Sequence, residues 1–169
     1  MSEFDLFIEQ ITNPKFQQAR LNKIGLYKSE ISKFFKSVLD YLKEYIEKGK
    51  ISYNLMNNWS INDEELGKFN VEWMQMKLGM YEISFTPHSP SLVGAFGRID
   101  MNCRSNHIMF VLTHKNLEDI SEIPEELRDK EFNEEDLEWK YVDNNLSGRL
   151  KKLTKEVFLK TFIQVVNGN

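Results

Sequence analysis

Between Glu72 and His114 apolar residues recur largely with a period of two, and this run constrains the fold more than any other stretch of the chain. A period of two sends alternate side chains to opposite sides of an extended backbone, so it marks strands buried on one face. Residues 73–78 read as a first strand, stopped by Gly79. Tyr81, Ile83 and Phe85 alternate with Glu82, Ser84 and Thr86 as a second, closed by Pro87 and Pro90 because proline cannot donate to a ladder. Val93, Ala95, Gly97, Ile99 and Met101 make a third, alternating with Phe96, Arg98, Asp100 and Asn102. Ile108, Phe110 and Leu112 make a fourth, alternating with His107, Met109, Val111 and Thr113. The connections are short, which implies antiparallel neighbours and a meander. Trp139 and Tyr141 alternate as a fifth strand, expected at the sheet edge.

A sheet with one apolar face needs a cover, and two helical patterns supply it. Over residues 15–48, Ile24, Tyr27, Ile31, Phe34, Val38, Tyr41 and Tyr45 recur at steps of three and four, widened by Phe35, Leu39, Leu42 and Ile46. That stripe is broader than a coiled-coil seam, so it is expected to cover the sheet. A homodimer seam through residues 24–46 is the other use of the same pattern. Asn13-Pro14 starts the helix and Gly49 stops it. A shorter apolar set, Phe4, Phe7, Ile8 and Ile11, precedes it at helical spacing. Thr154 caps a C-terminal helix over about residues 154–166, with Val157, Phe158, Thr161, Phe162 and Val165 inward. Residues 51–55 read as a short strand, Asn57-Asn58 as a turn, and residues 61–69 as a short acidic helix behind Ser60. The expected fold is a single α+β domain over residues 1–169. Its four- to five-stranded antiparallel meander (about 72–114 plus 139–143) packs against the long N-terminal and the C-terminal helix.

Residues 117–138 differ in kind. They hold eleven Asp and Glu against Arg128 and Lys130, a net −9 in a chain whose total is −4. This acidic insertion reads as a solvated loop and not a core element. It can lie over basic surface of its own molecule, or Glu125, Glu126, Glu134, Glu135 and Asp136 can offer a negative face to a basic partner. Residues 144–148 follow as a turn.

Net charge −4 argues against a protein whose main task is gripping phosphates. Arg149, Lys151 and Lys152 are the local exception. No apolar run approaches the roughly 20 residues that span a bilayer. Residues 1–11 carry Glu3, Asp5 and Glu9, not the basic start of a signal peptide. The single cysteine, Cys103, allows neither an internal disulfide nor a cysteine zinc cluster. The expectation is a cytoplasmic protein without membrane contact, metal or cofactor.

Strand alternation also selects the candidate chemistry. Glu82, Arg98, Asp100 and His107 share the face turned away from the helices, where they would form an acid–base or anion-binding group. A plain solvated face with cross-strand ion pairs is the other account. Phe96 and Met109 on that face are unexpected in water and imply a cover. His88 stands between Pro87 and Pro90 on a stiff turn that would present its ring. His107 and His114 are seven residues apart on one strand and point to opposite faces, so the three histidines share no metal site. Cys103 and His107 flank a hairpin turn, a poor geometry for a thiol and its base. Gly94 and Gly97 lie within a strand and mark a bend or a close helix approach, not a phosphate loop. With no catalytic motif, the leading expectation is a small acidic interaction module of the immunity or inhibitor kind, facing a basic partner protein. An enzyme or small-ligand site around Arg98 and Asp100 follows, and nucleic-acid binding through the basic C-terminal segment comes third.

Overall fold

The computed structural model describes residues 1–91, 94–128, 133–143 and 148–168. Among them, seven strands form one antiparallel sheet in simple chain order, β1 (Ile51–Asp63), β2 (Gly67–Leu78), β3 (Tyr81–Pro87), β4 (Gly97–Cys103), β5 (Asn106–His114), β6 (Leu137–Asp143) and β7 (Arg149–Lys152). Helices α1 (Glu3–Thr12) and α2 (Pro14–Glu47) precede the sheet, the four-residue α3 (Glu125–Arg128) lies between β5 and β6, and α4 (Lys155–Asn167) ends the chain. None of these helices is long and apolar enough to cross a membrane.

The α+β class and the meander are as the period-two run implies, but the sheet is larger than the expected four or five strands. Residues 61–69 are not a helix. They are the end of β1, a hairpin turn and the start of β2, with Ile61 paired to Phe69 and Asp63 to Gly67. Asp63 stabilises the turn by accepting from the backbone N–H of Glu65 (2.8 Å) and Leu66 (2.7 Å), and Gly67 takes the φ of +76° that the turn needs. Asn57 and Asn58 are not a turn either: two β1 residues stand opposite Glu72 alone, a bulge between Met56 and Trp59. Strand β6 is not an edge, because β7 pairs with it from Asp143–Arg149 to Lys140–Lys152. The third expected strand begins at Gly97, not at residue 93; Gly94, at φ +75°, is in a turn, and Val93 falls outside the described residues. Most of the turn expected over 144–148 also falls outside them.

Helix α2 starts on Asn13, whose side chain accepts from Lys15 N–H (2.9 Å), with Pro14 in the first turn, and it runs unbroken through Gly25. Its stripe is buried against the sheet: Ile31, Phe34, Phe35 and Val38 are at most 1% exposed. They meet Met74, Met76, Ile83, Phe85, Ile99, Met101, Phe110 and Leu112 in one core, which α4 closes with Phe158, Phe162 and Val165. Burying each large side chain stabilises the fold by about 1.5–3 kcal/mol. The expected dimer seam over 24–46 thus has its inner positions already filled within one chain. Gly97 lets this helix come close, since a Cβ there would stand 2.3 Å from the Tyr27 ring.

The other face carries a second, smaller core. Ala95, Val111, Leu117, Val142 and Leu150 cluster there, with Met109, Ile120, Ile123 and Leu127 packed against them. Four of these nine residues come from the acidic segment, which is therefore a core element over its first half and not a solvated loop. Its backbone is tied down as well, through Leu150 N–H to the Glu118 carbonyl (2.8 Å) and Ile120 N–H to the Gly148 carbonyl (3.2 Å). Nearby, buried Lys140 donates from Nζ to the carbonyls of His114, Lys115 and Leu117, closing the turn that leads into the segment.

Candidate functional site

The cover stops at Met109, and Met109 is paired directly with Asp100. Beyond that line the second face is open and polar. Cross-strand pairs set its rows: Thr86, Asp100 and Met109 form one, and Ser84, Asn102 and His107 form the next. Asp100 is the hub. Arg98 donates to it twice, from Nε to Oδ1 at 2.7 Å and from Nη2 to Oδ2 at 2.8 Å, the bidentate geometry that a guanidinium and a carboxylate favour. Two imidazoles reach the same Oδ2, His88 through Nε2 at 2.9 Å and His107 through Nε2 at 3.3 Å. The Asp100 side chain is 8% exposed, whereas those of Arg98, His88 and His107 are 30%, 44% and 41% exposed. The carboxylate is sunk and its three partners form the rim.

His88 belongs to no strand, so its position depends on how its loop is held. The loop is strapped from three sides. His88 N–H donates to the Arg98 carbonyl (2.8 Å), extending the β3–β4 pairing by one residue. Buried Tyr27 on α2 donates its hydroxyl to the His88 carbonyl at 2.6 Å, and burial pushes that phenol well above its ordinary pKa. Trp59 on β1 donates from its indole to the Pro87 carbonyl (2.8 Å), and Asp63 accepts from the hydroxyls of Ser89 and Ser91. The two prolines and these anchors leave the imidazole itself as the projecting group.

Of the four residues expected on this face, Arg98, Asp100 and His107 meet in one cluster, and His88, expected on its stiff turn, joins them. Glu82 does not: it lies down the sheet and pairs with Lys77 at 3.6 Å, with a side chain 75% exposed. Cys103 is buried in the main core, on the opposite face from His107, so no thiol–imidazole pair forms. His114 is likewise on the far face, where its Nδ1 accepts from Asn116 N–H. Among the described residues, no three His, Cys, Asp or Glu side chains are arranged to hold a metal ion. At Asp100 the Arg98 guanidinium already stands beside the carboxylate. The cluster sits on an open ledge. A depression of about 410 Å³ lies elsewhere, over the β1 bulge, lined by Leu55, Met56, Asn57, Asn58 and Glu72. Phe96, grouped with Met109 by alternation, instead packs against the main core.

Burial pushes the Asp100 carboxyl up, but hydrogen bonds from His88 and Arg98 and the charge behind them prevail and hold it at about 2. A carboxyl held lower in the folded than in the unfolded chain adds stability above its unfolded pKa, roughly 3.9. That stability is lost as pH falls through the folded value. Asp100→Asn is expected to cost about 2 kcal/mol at neutral pH and to flatten the loss of stability between about pH 4 and pH 2. Urea unfolding across that range checks both effects. A variant with wild-type stability and an unchanged acid limb would show that the hub contributes nothing.

The acidic residues stand as follows. Glu125, Glu126 and Glu135 are exposed, Glu134 pairs with Lys33 of α2, and Asp136 accepts from Asn133 N–H (3.3 Å) to cap a single 3-10 turn. The basic C-terminal residues are largely engaged: Lys151 with Asp143 (3.0 Å), Lys152 with Glu138 (3.6 Å) and Lys160 with Glu156 (2.9 Å). A phosphate backbone would meet carboxylates beside these lysines, which disfavours the nucleic-acid reading. No protein-family model, curated protein or solved structure matches the chain, so its function is read from its own residues.

Proposed function

We propose that the chain is a protein-interaction module that presents an acidic surface to a basic partner protein, in the manner of an inhibitor or immunity protein. The observation that carries this reading is the way the acidic segment is held. Leu117, Ile120, Ile123 and Leu127 face the sheet, while Glu118, Glu122, Glu125 and Glu126 stay exposed. Ion pairs engage Glu134 and Glu138; among the described residues none engages Glu122, Glu125, Glu126 or Glu135. A disordered acidic tail would lose conformational entropy on binding, whereas carboxylates fixed on an apolar underside have largely lost it on folding. Their summed field accelerates encounter with a basic surface and penalises acidic competitors.

The test is a variant with Glu122, Glu125, Glu126 and Glu135 all changed to Gln. Its stability should stay within about 0.5 kcal/mol per site, since these are surface positions. The wild-type chain should capture from its native host a partner of basic net charge, and the purified pair should associate at least about tenfold faster than the variant pair at low salt. Raising the salt should close that gap. Equal association rates, or a captured partner that is itself acidic, would sink the proposal.

A further inference from the structure

We propose that Arg98, His88 and His107 form a binding site for a phosphate-type oxyanion, free or carried as a phosphate monoester. The site lies on the open half of the second sheet face and is independent of the acidic surface above. Its donors are arranged by a shared template. Asp100 takes Arg98 on both oxygens and both imidazoles on Oδ2. Each imidazole is tied through Nε2, which in His107 also lies 3.4 Å from Arg98 Nη2, and among the described residues neither Nδ1 has a protein partner. Nothing described accepts from Arg98 Nη1 either. Three nitrogens, Arg98 Nη1 and the two imidazole Nδ1 atoms, are thus left on the rim of a buried carboxylate, each on a side chain at least 30% exposed, and all three donate when the rings are protonated.

Charge and shape favour an oxyanion over a metal ion. With both rings protonated, three cations surround one carboxylate, which makes the cluster a positive island in a chain of net −4. The Arg98 guanidinium repels a metal ion from the place where two imidazoles and a carboxylate would otherwise hold one. A tetrahedral oxyanion offers three or more acceptor oxygens to the three donors, and charge-assisted bonds of this kind are the strong ones. Half-buried Thr86 and Asn102 lie alongside on the sheet floor, and Met109 begins the wall made by the covering segment. Among the described residues, the charged groups facing the site are its own four; α2 approaches the His88 loop through the neutral Tyr27 hydroxyl, and Asp63 meets that loop at Ser89 and Ser91.

The experiment titrates inorganic phosphate, and separately phenyl phosphate, into the full chain at about pH 6, reading the histidine ring resonances by NMR. The rings of His88 and His107 should shift together and saturate, while His114 on the far face stays still. Equal affinity for the two ligands assigns the site to free phosphate, and tighter phenyl phosphate assigns it to a monoester resting against the wall. His88→Gln and His107→Gln should each weaken binding; both positions are half-exposed, so thermal melts should confirm that the fold is kept. Shifts that never saturate, an equal response from His114, or an unchanged Kd in the H88Q/H107Q double variant would overturn the assignment.

Discussion

Replacing Phe34 with alanine is expected to remove about 4 kcal/mol of folding free energy. The ring is 1% exposed and stands at the crossing of α2 with the middle of the sheet. Its centroid lies 5.1 Å from Trp139, 5.3 Å from Phe110, 5.6 Å from Phe35 and 6.3 Å from Phe85, so strands β3, β5 and β6 all meet on it. Alanine would forfeit the transfer free energy of the ring and leave a cavity that rigid aromatic neighbours fill poorly. A domain of this size has roughly 5–15 kcal/mol in total, so the variant should be marginal at 37 °C. Phe34→Leu keeps most of the volume and should cost about 1.5 kcal/mol. Denaturant unfolding of the two variants beside the wild type checks this, and a Phe34→Ala loss below about 1 kcal/mol would mean that the centre of the core lies elsewhere.

The same residue shows why part of this fold can be read directly and part cannot. Phe34 sits in a stripe whose inner positions are apolar apart from Glu30, and β3 and β4 alternate cleanly because their apolar side chains face the main core, whereas β5 runs apolar from Ile108 to Leu112 with Val111 in the second core. Periodicity reports one-sided burial well. It fails where burial is shared or slight. Strand β1 is an edge: Tyr53 and Leu55 are 41% and 43% exposed, and the bulge at Asn57 and Asn58 breaks the alternation in mid-strand. Asp63 and Gly67 were the available signal there, an acceptor and a positive-φ residue on either side of a tight turn. Strand β7 has only Leu150 inward among three basic residues, so composition outweighs pattern. In the acidic segment, Leu117, Ile120, Ile123 and Leu127 are spaced by three and four, but eleven carboxylates mask that spacing. For the candidate site, parity places Arg98, Asp100 and His107 on one face. It says nothing of His88, whose place depends on bonds reaching 28 residues back to Trp59 and 61 residues back to Tyr27.

The second large effect is expected at Asp63, which joins the hairpin turn to the loop that presents His88. Besides the two turn N–H groups, its carboxylate accepts from the Ser89 hydroxyl, from Ser91 N–H at 3.2 Å and from the Ser91 hydroxyl at 2.9 Å. Burial would push this carboxyl up, yet the hydrogen bonds hold it below the ordinary aspartate range, so it is the ionised form that binds the two segments together. Asp63→Ala strands these donors at a position 3% exposed and is expected to cost about 3 kcal/mol, the upper range for hydrogen bonds to a charged group. Asp63→Asn should fall between the two, because the amide keeps one acceptor oxygen and the serine hydroxyls can turn to accept from its NH₂. Stability alone would not separate a local turn defect from loss of the inter-segment tie. Amide hydrogen exchange does: the alanine variant should speed exchange at Leu66 and at Ser91 together, and should move the ring resonances of His88 but not those of His114. Faster exchange at Leu66 with Ser91 and His88 unchanged would show that Trp59 and Tyr27 hold the loop without Asp63, and that the hairpin and the histidine are not coupled.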